Sequence, residues 1–290
     1  MRLRSTIFLK TWRISAARVE NNRTVRFLNR FERSWDLLGK KNSLGAILTG
    51  DDGGIREWNL EEFLATGRSD AQRFIADLER IAPGVSRARA LDFGCGVGRV
   101  TRALAAYFDR IVGADIAPSM VSQARRLNGD ITNASFILNP APHLRQFQPG
   151  SFDVIYCRLV LQHLRPRRSR RYITELIHVL APHGIMMVQI PGDDCVDSEE
   201  AFCNAPVTGS GLKRYAPMPL VRAYRRLKYR LIVDYALLES NDPRMHMFAI
   251  SKEEMTRLIR KSGGEAVVVT PDQSHGPRGQ GFEYWVTRRA

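Results

Sequence analysis

The stretch Ala90-Leu91-Asp92-Phe93-Gly94-Cys95-Gly96-Val97-Gly98-Arg99 decides the fold of this chain. It predicts a short buried strand, then a glycine-rich turn, then a helix that begins near Val100. Because glycine has no Cβ, such a turn lets backbone N–H groups and the start of the helix approach a ligand closely. The stretch therefore predicts a strand–turn–helix unit of an α/β protein, with a ligand site at the turn.

The spacing of the glycines and the acid before them indicate the kind of ligand. A dinucleotide fingerprint needs glycines at relative positions one, three and six, and the sixth position here is Arg99. The glycines instead alternate at Gly94, Gly96 and Gly98, behind Asp92. A carboxylate at that place repels a diphosphate and attracts a positively charged ligand. S-adenosylmethionine carries a sulfonium and an ammonium group, so it suits the turn better than NAD does.

On these residues, the segment Asp92 to Gly98 resembles motif I of the class I S-adenosylmethionine-dependent methyltransferases. The resemblance extends over Arg89 to Pro191, with Asn139 where many members have an acid and His183 where they have a glycine. It implies a doubly wound α/β fold, the Rossmann-like methyltransferase sheet of seven strands. It also implies that the last strand, Phe282 to Thr287, is antiparallel, with helices before the sheet and a helical insert within it.

The resemblance implies S-adenosyl-L-methionine as the cofactor. Asp115 lies about 20 residues past the first glycine, where a carboxylate can accept both ribose hydroxyls, although that spacing alone fits NAD equally well. In the resembled family, the positions of Ile116 and Met120 enclose the adenine, but Met120 is as well explained as a core residue. The Asn139 carbonyl can accept from the adenine amino group. The predicted cofactor-binding residues are Asp92, Gly94, Cys95, Gly96, Gly98, Asp115, Ile116, Met120, Asn139 and Arg158, and we predict no metal.

The resemblance implies transfer of a methyl group by in-line displacement. We expect a small-molecule or glycan acceptor that reacts through a hydroxyl oxygen, and His163 is the candidate base because imidazole titrates near neutral pH. His163 could equally well only order its loop, and His246 and His275 are alternative bases. Other functions remain open: an RNA or protein methyltransferase, or a catalytically silent methyltransferase-like scaffold.

The chain divides into a basic N-terminal extension, residues 1–58, and a methyltransferase domain, residues 59–290. Cap signals at Asn59 and Ser69 predict two helices ahead of the first strand, with Arg68 in the loop between them as a candidate partner of the methionine carboxylate. Residues 192–244 form the helical insert. Its apolar stripe comprises Leu220, Tyr224, Leu227, Leu231, Tyr235 and Leu238, with arginines off the stripe. We expect a lid over the reactive site, and the alternative is peripheral contact with a membrane surface.

Composition is that of a globular protein: 290 residues with 44% hydrophobic residues, and no apolar run as long as the roughly 18 residues of a membrane span. The four cysteines form no closely spaced metal-ligand pair, which suits a reducing, cytoplasmic setting. The net charge of +14 suits an anionic substrate, a solvated surface or a nucleic acid. We expect no nucleic-acid partner, because aromatic residues are not interleaved with the arginines. The sequence does not determine the oligomeric state.

Overall fold

A computed structural model describes residues 30–48, 56–192, 219–220, 223–224, 247–273 and 280–289. Within these ranges the labelled helices are α1 (Arg30–Ile47), α2 (Leu60–Ile81), α3 (Arg99–Leu104), α4 (Pro118–Leu127), α5 (Pro166–Val179) and α6 (Lys252–Lys261). The strands are β1 (Arg89–Phe93), β2 (Arg110–Asp115), β3 (Ala134–Leu138), β4 (Phe152–Cys157), β5 (Leu180–Pro191), β6 (Gly264–Asp272) and β7 (Gly281–Arg288). Short 3-10 turns cover Ala105–Tyr107 and Leu161–His163.

The strands form one seven-stranded sheet in the order β3-β2-β1-β4-β5-β7-β6. Strands β1 to β5 pair in parallel, whereas β7 runs antiparallel to both β5 and β6. The predicted doubly wound sheet with an antiparallel last strand is therefore confirmed. Strand β1 pairs with β2 on one side and β4 on the other, so the chain changes direction across the sheet at that point. In such sheets a ligand binds at the crevice outside the carboxyl ends of the strands at this point.

Both faces of the sheet are buried, as parallel strands require. On one face, α5 packs on β5 and α6 packs on β6, with Tyr172 and Leu176 of α5 in the apolar cluster. On the other face, Phe74 of α2 stacks on Trp285, with ring centroids 5.4 Å apart, and meets Tyr156 edge-on at 5.0 Å. The two layers leave the carboxyl ends of β1, β2 and β4 as the place where loops can build a site.

Of the two predicted helix caps, the one at Asn59 is confirmed and the one at Ser69 is wrong. Asn59 accepts a hydrogen bond from the N–H of Glu61 at 2.8 Å, and Ser251 accepts one from the N–H of Glu254 at 3.1 Å. Ser69, however, lies inside α2, so the predicted break at residues 65–68 does not exist.

The physical reason lies at Gly67, which has helical backbone and packs directly on the helix that follows the glycine turn. A Cβ built on Gly67 would overlap the backbone carbonyl oxygen of Arg99. This glycine allows α2 and α3 to approach closely and does not end the helix.

Helix α1 falls within the predicted N-terminal extension but packs directly on the sheet domain. Its Ser43 donates to Oε1 of Gln123 in α4 at 2.6 Å, and Nε2 of Gln123 donates to the carbonyl of Gly39 at 2.6 Å. At least this part of residues 1–58 therefore packs on the sheet domain. The boundary at residue 58 remains a prediction.

The insert falls largely outside the described residues. Of residues 192–244, the structure describes Gly192, Pro219, Leu220, Ala223 and Tyr224. Leu220 and Tyr224 are helical and 64% and 59% exposed, so in this arrangement their side chains do not pack on the sheet. Whether the insert is a lid or a membrane contact stays a prediction. In the described ranges, no helix combines the length and the apolar character needed to span a bilayer.

Candidate active site

The glycine turn after β1 has the conformation that its sequence predicts. Gly94, Gly96 and Gly98 have φ angles of 81°, 54° and 84°, a region that side chains with a Cβ disfavour. The N–H groups of Gly94 and Cys95 both donate to the carbonyl of Ala114 in β2, at 2.7 and 3.1 Å. The turn is therefore fixed against the end of β2, with α3 beginning directly after Gly98.

Asp115 lies at the end of β2 and faces this turn. One carboxylate oxygen accepts the N–H of Gly96 at 2.9 Å, and the other accepts the N–H of Ala117 at 2.9 Å. Burial raises the pKa of Asp115 above its ordinary value, and these backbone hydrogen bonds partly offset that effect. Each oxygen can accept a further hydrogen bond, so the carboxylate suits the two vicinal hydroxyls of a ribose.

Asp92 lies at the end of β1, directly beneath the turn, and is 3% exposed. The hydroxyl of Thr101 donates to its carboxylate at 2.5 Å. Burial raises the pKa of Asp92 to about 6. The thiol of Cys95 responds to the same charges, because burial first and then Asp115 and Asp92 raise its pKa. Two carboxylates therefore give the turn a negative potential that suits a cationic ligand and opposes a diphosphate.

The two residues predicted to enclose the adenine differ in accessibility. Ile116 is half-buried at the end of β2. Met120 is 2% exposed and lies in an apolar cluster with Phe63 and Val97. A Cβ on Gly39 of α1 would come within 3.3 Å of the Met120 methyl carbon, so α1 covers this side chain. The structure gives Met120 a core position, which is the alternative that the sequence left open, and its contact with the adenine stays a prediction.

Asn139 follows β3, as predicted, but its side chain already has partners. Its Oδ1 accepts from Gln146 at 2.7 Å, and its Nδ2 donates to the carbonyl of Ala141 and the hydroxyl of Tyr172, both at 3.2 Å. An adenine contact through the side-chain carbonyl would have to share this oxygen with Gln146.

Arg158 follows β4, and its guanidinium faces three carboxylates. Its nitrogens lie 3.3 Å from Glu283, 3.5 Å from Asp70 and 3.7 Å from Asp272. A guanidinium that is only 11% exposed needs such partners, because a buried charge is costly unless paired. The cofactor contact of Arg158 stays a prediction. Arg68, the candidate partner of the methionine carboxylate, is exposed on α2. Asp70 of the same helix also pairs with Arg99, at 2.7 Å.

His163 lies in the 3-10 turn that follows β4. Its ring meets the ring of Trp35 edge-on, with centroids 5.0 Å apart. The alternative bases His246 and His275 lie outside the described residues. Within the described ranges, no group of three or more metal-ligating side chains comes together.

Sequence reasoning missed the part that α1 plays at this site. Trp35 contacts His163, and a Cβ on Gly96 would come within 2.6 Å of Cδ1 of Ile47. Helix α1 therefore extends from the turn that holds His163 to the glycine turn. The available signal was the spacing of Trp35 and Leu38, and of Leu44, Ile47 and Leu48, because apolar side chains three or four residues apart indicate a packed helical face.

Comparison with known proteins identifies the domain. Residues 91–188 match the family described as "Methyltransferase domain". Trans-aconitate 2-methyltransferase of Methylobacterium nodulans is 33% identical over 142 residues, which is 47% of this chain and 51% of that protein. Ubiquinone biosynthesis O-methyltransferase of Xanthomonas campestris pv. campestris is 34% identical over 79 residues, 27% of this chain and 33% of that protein. The chain spans about half the length of the trans-aconitate relatives that it matches.

Solved structures agree on the fold. A SAM-dependent methyltransferase of Leishmania major has a TM-score of 0.55 and 16% identity, covering 89% of this chain and 82% of that one. Magnesium protoporphyrin IX methyltransferase of Synechocystis PCC 6803, solved with bound SAM, has a TM-score of 0.54 and 13% identity, covering 91% and 98%. The family match, the sheet order and the glycine turn agree: over residues 91–188 the chain is a methyltransferase domain of the S-adenosylmethionine-dependent kind.

Proposed function

We propose that this protein transfers the methyl group of S-adenosylmethionine to an oxygen of a small-molecule or glycan acceptor. The observation that carries the proposal is the pair of carboxylates, Asp92 and Asp115, at a turn of three left-handed glycines. The names of the trans-aconitate and ubiquinone-biosynthesis relatives support a small-molecule acceptor.

The residues present fit the cofactor. Asp115 would hold the ribose hydroxyls, the glycine turn would let backbone N–H groups approach the nucleoside, and the charge of Asp92 would favour the cationic end. Bound S-adenosylmethionine supplies a methyl group on a positively charged sulfur, which is already activated for displacement. The work left to the protein is chiefly to align the acceptor oxygen with that methyl group and to exclude water.

The acceptor side combines an imidazole with concentrated positive charge. Helix α5 begins at Pro166, next to the turn that holds His163, and has no acidic residue in its first turn. Ser169 joins α5 to this turn, because its hydroxyl donates to the carbonyls of Leu161 and Leu164, at 2.9 and 3.0 Å. Arginines occupy positions 165, 167, 168, 170 and 171. Arg170 pairs with Glu254 and Arg171 lies 3.9 Å from Glu175, so this charge is partly neutralised. The name of the trans-aconitate relatives supports an anionic acceptor.

The chemical nature of the acceptor oxygen determines whether a base is needed. A hydroxyl must lose a proton as it attacks, which gives His163 a role as general base. A carboxylate is already ionised at neutral pH and needs no base. We favour the hydroxyl, because the 3-10 turn that holds His163 directly follows Val160, which packs on Gly94 of the glycine turn.

Calorimetry of the full chain with S-adenosylhomocysteine and, separately, with NADH tests the cofactor. We expect heat with the former only, and an affinity at least about tenfold weaker in Asp115→Asn, since one amide oxygen cannot replace two carboxylate oxygens. Asp109→Asn is the matched control, because Asp109 is exposed at the opposite end of β2. Heat with NADH and none with S-adenosylhomocysteine would overturn the proposal.

Transfer of a tritiated methyl group tests the acceptor class. The panel comprises hydroxylated acids, polycarboxylates, glycans and total RNA, with the protein alone as background. Label on RNA, with binding that weakens steeply as salt rises, would favour a nucleic-acid methyltransferase instead. Cofactor binding without any transfer would favour a silent scaffold.

A further inference from the structure

Leu159, immediately after β4, has an unusual backbone conformation for its residue type. Its φ is 59°, a left-handed value that L-residues with a branched side chain disfavour. Such conformations persist only where the surrounding structure enforces them. Something must therefore hold Leu159 in place.

The holding group is the side chain of Gln189 in β5, which is fully buried. Its Oε1 accepts the N–H of Leu159 at 2.8 Å, and its Nε2 donates to the carboxylate of Asp272 in β6 at 2.7 Å. The amide is oriented by this second bond, because only its NH₂ end can donate to Asp272 and only its oxygen can accept from Leu159. Gln189 thus connects the carboxyl ends of β4, β5 and β6.

The conformation of Leu159 sets the position of the next residue, Val160. A Cβ built on Gly94 would overlap the methyl groups of Val160, so this side chain lies flush against the first glycine of the turn. Val160 also precedes the 3-10 turn of Leu161–His163. Val160 therefore packs against the glycine turn and also directly precedes the segment that contains the candidate base, His163.

We propose that Gln189 is a positioning residue for the cofactor turn: by accepting the N–H of Leu159 it maintains the left-handed conformation that seats Val160 against Gly94. This inference rests on the proposed function, because it assigns a task at the same cofactor site. In this proposal Gln189 acts on the turn through Leu159 and Val160.

The experiment measures the affinity of the full chain for S-adenosylhomocysteine by calorimetry, together with the thermal unfolding midpoint. Gln189→Leu keeps the approximate volume and removes the acceptor for Leu159. We expect its dissociation constant to rise about tenfold, because a buried backbone N–H loses its partner and Leu159 relaxes. Adding Leu159→Gly should bring the constant back to within about threefold of the wild type, since glycine tolerates a positive φ without that hydrogen bond.

His183→Gly in the Gln189→Leu background is the matched control. His183 also has a positive φ, 62°, but it is exposed at the start of β5, far along the strand from Gln189. We expect this change to raise the unfolding midpoint and to leave the dissociation constant unchanged. Restoration of affinity by His183→Gly as fully as by Leu159→Gly would show that general stabilisation suffices, which would overturn the proposal.

Val160→Ala tests the same chain of contacts without altering Gln189, should Gln189→Leu not fold. We expect it to weaken binding by about threefold or more, because the turn loses its support while the sheet core is retained. Wild-type affinity in either Val160→Ala or a folded Gln189→Leu would overturn the inference. A wild-type chain that binds no S-adenosylhomocysteine would instead overturn the proposed function, and the inference with it.

Discussion

Thr101 donates its hydroxyl to the buried carboxylate of Asp92 across 2.5 Å, and this bond joins the first turn of α3 to the end of β1. The glycine turn lies between the two residues in sequence. Both of its ends are therefore fixed. The bond also favours the charged form of a carboxylate that burial disfavours.

The pKa of about 6 for Asp92 gives a prediction for stability against pH. Because the folded-state pKa lies above the unfolded value of 3.8, the folded protein holds the proton more tightly. The contribution of the protonated carboxyl to the free energy of unfolding is fully present below pH 3.8 and is lost as the pH rises through about 6. Asp92→Asn, which cannot ionise, should be more stable than the wild type at pH 7.5 by up to about 3 kcal/mol, with the difference vanishing near pH 4. Urea unfolding across this range measures it.

Ionisation of Asp92, which lowers the stability of the fold, should raise the affinity for the cofactor. A cationic ligand binds better to charged Asp92, so wild-type affinity for S-adenosylmethionine should rise as pH passes through about 6. Asp92→Asn should bind more weakly at pH 7.5 and lack this rise. An identical pH dependence in both proteins would contradict the assignment of charge to this position.

Replacing Gly67 of α2 by alanine should destabilise the fold, which is the opposite of the usual effect of this substitution in a helix. Glycine to alanine in a helix ordinarily stabilises by about 1 kcal/mol. Here the new Cβ would overlap the backbone carbonyl of Arg99, which cannot move without displacing α3. We expect Gly67→Ala to destabilise by about 2 kcal/mol. Gly129→Ala is the control, because its Cβ would meet nothing closer than 3.5 Å and should leave unfolding in urea nearly unchanged.

Helix α1 is joined to α4 by a contact that can be removed selectively. The carboxylate of Asp36 accepts the N–H of Ser119 at 2.8 Å, at the N-terminal end of α4, where no side chain of the neighbouring sequence caps the helix. Asp36→Ala should therefore cost about 1 kcal/mol and loosen α1 over the site, measured as faster hydrogen exchange in residues 34–47. Lys40→Ala removes only the exposed partner of Asp36 and should have little effect. Equal exchange in both variants would contradict the capping role.

The sequence alone predicted the sheet, the glycine turn and the positions of Asp92 and Asp115, because these depend on short runs and local backbone rules. It could not predict the partners of Arg158 or the location of α1, which are long-range. Arg158 meets Glu283 at a separation of 125 residues, and Ser119 meets Asp36 at a separation of 83. The break predicted at residues 65–68 failed for the same reason, since the need for Gly67 arises from contact with Arg99, not from its own helix.

The last prediction concerns His163, which lies against Trp35 on the acceptor side. If His163 accepts the proton of a hydroxyl acceptor, His163→Ala should lower turnover at least about tenfold and leave the affinity for S-adenosylhomocysteine nearly unchanged. His163→Phe retains an aromatic ring beside Trp35 but removes the nitrogens, so it should be as impaired as the alanine variant. Steady-state kinetics with the best acceptor from the tritium assay measures both. His178→Ala is the control, because His178 is exposed in the last turn of α5, and it should behave as wild type. Full turnover in His163→Phe alone would show that His163 acts by packing on Trp35, whereas full turnover in both variants would exclude it from proton transfer and favour a carboxylate acceptor.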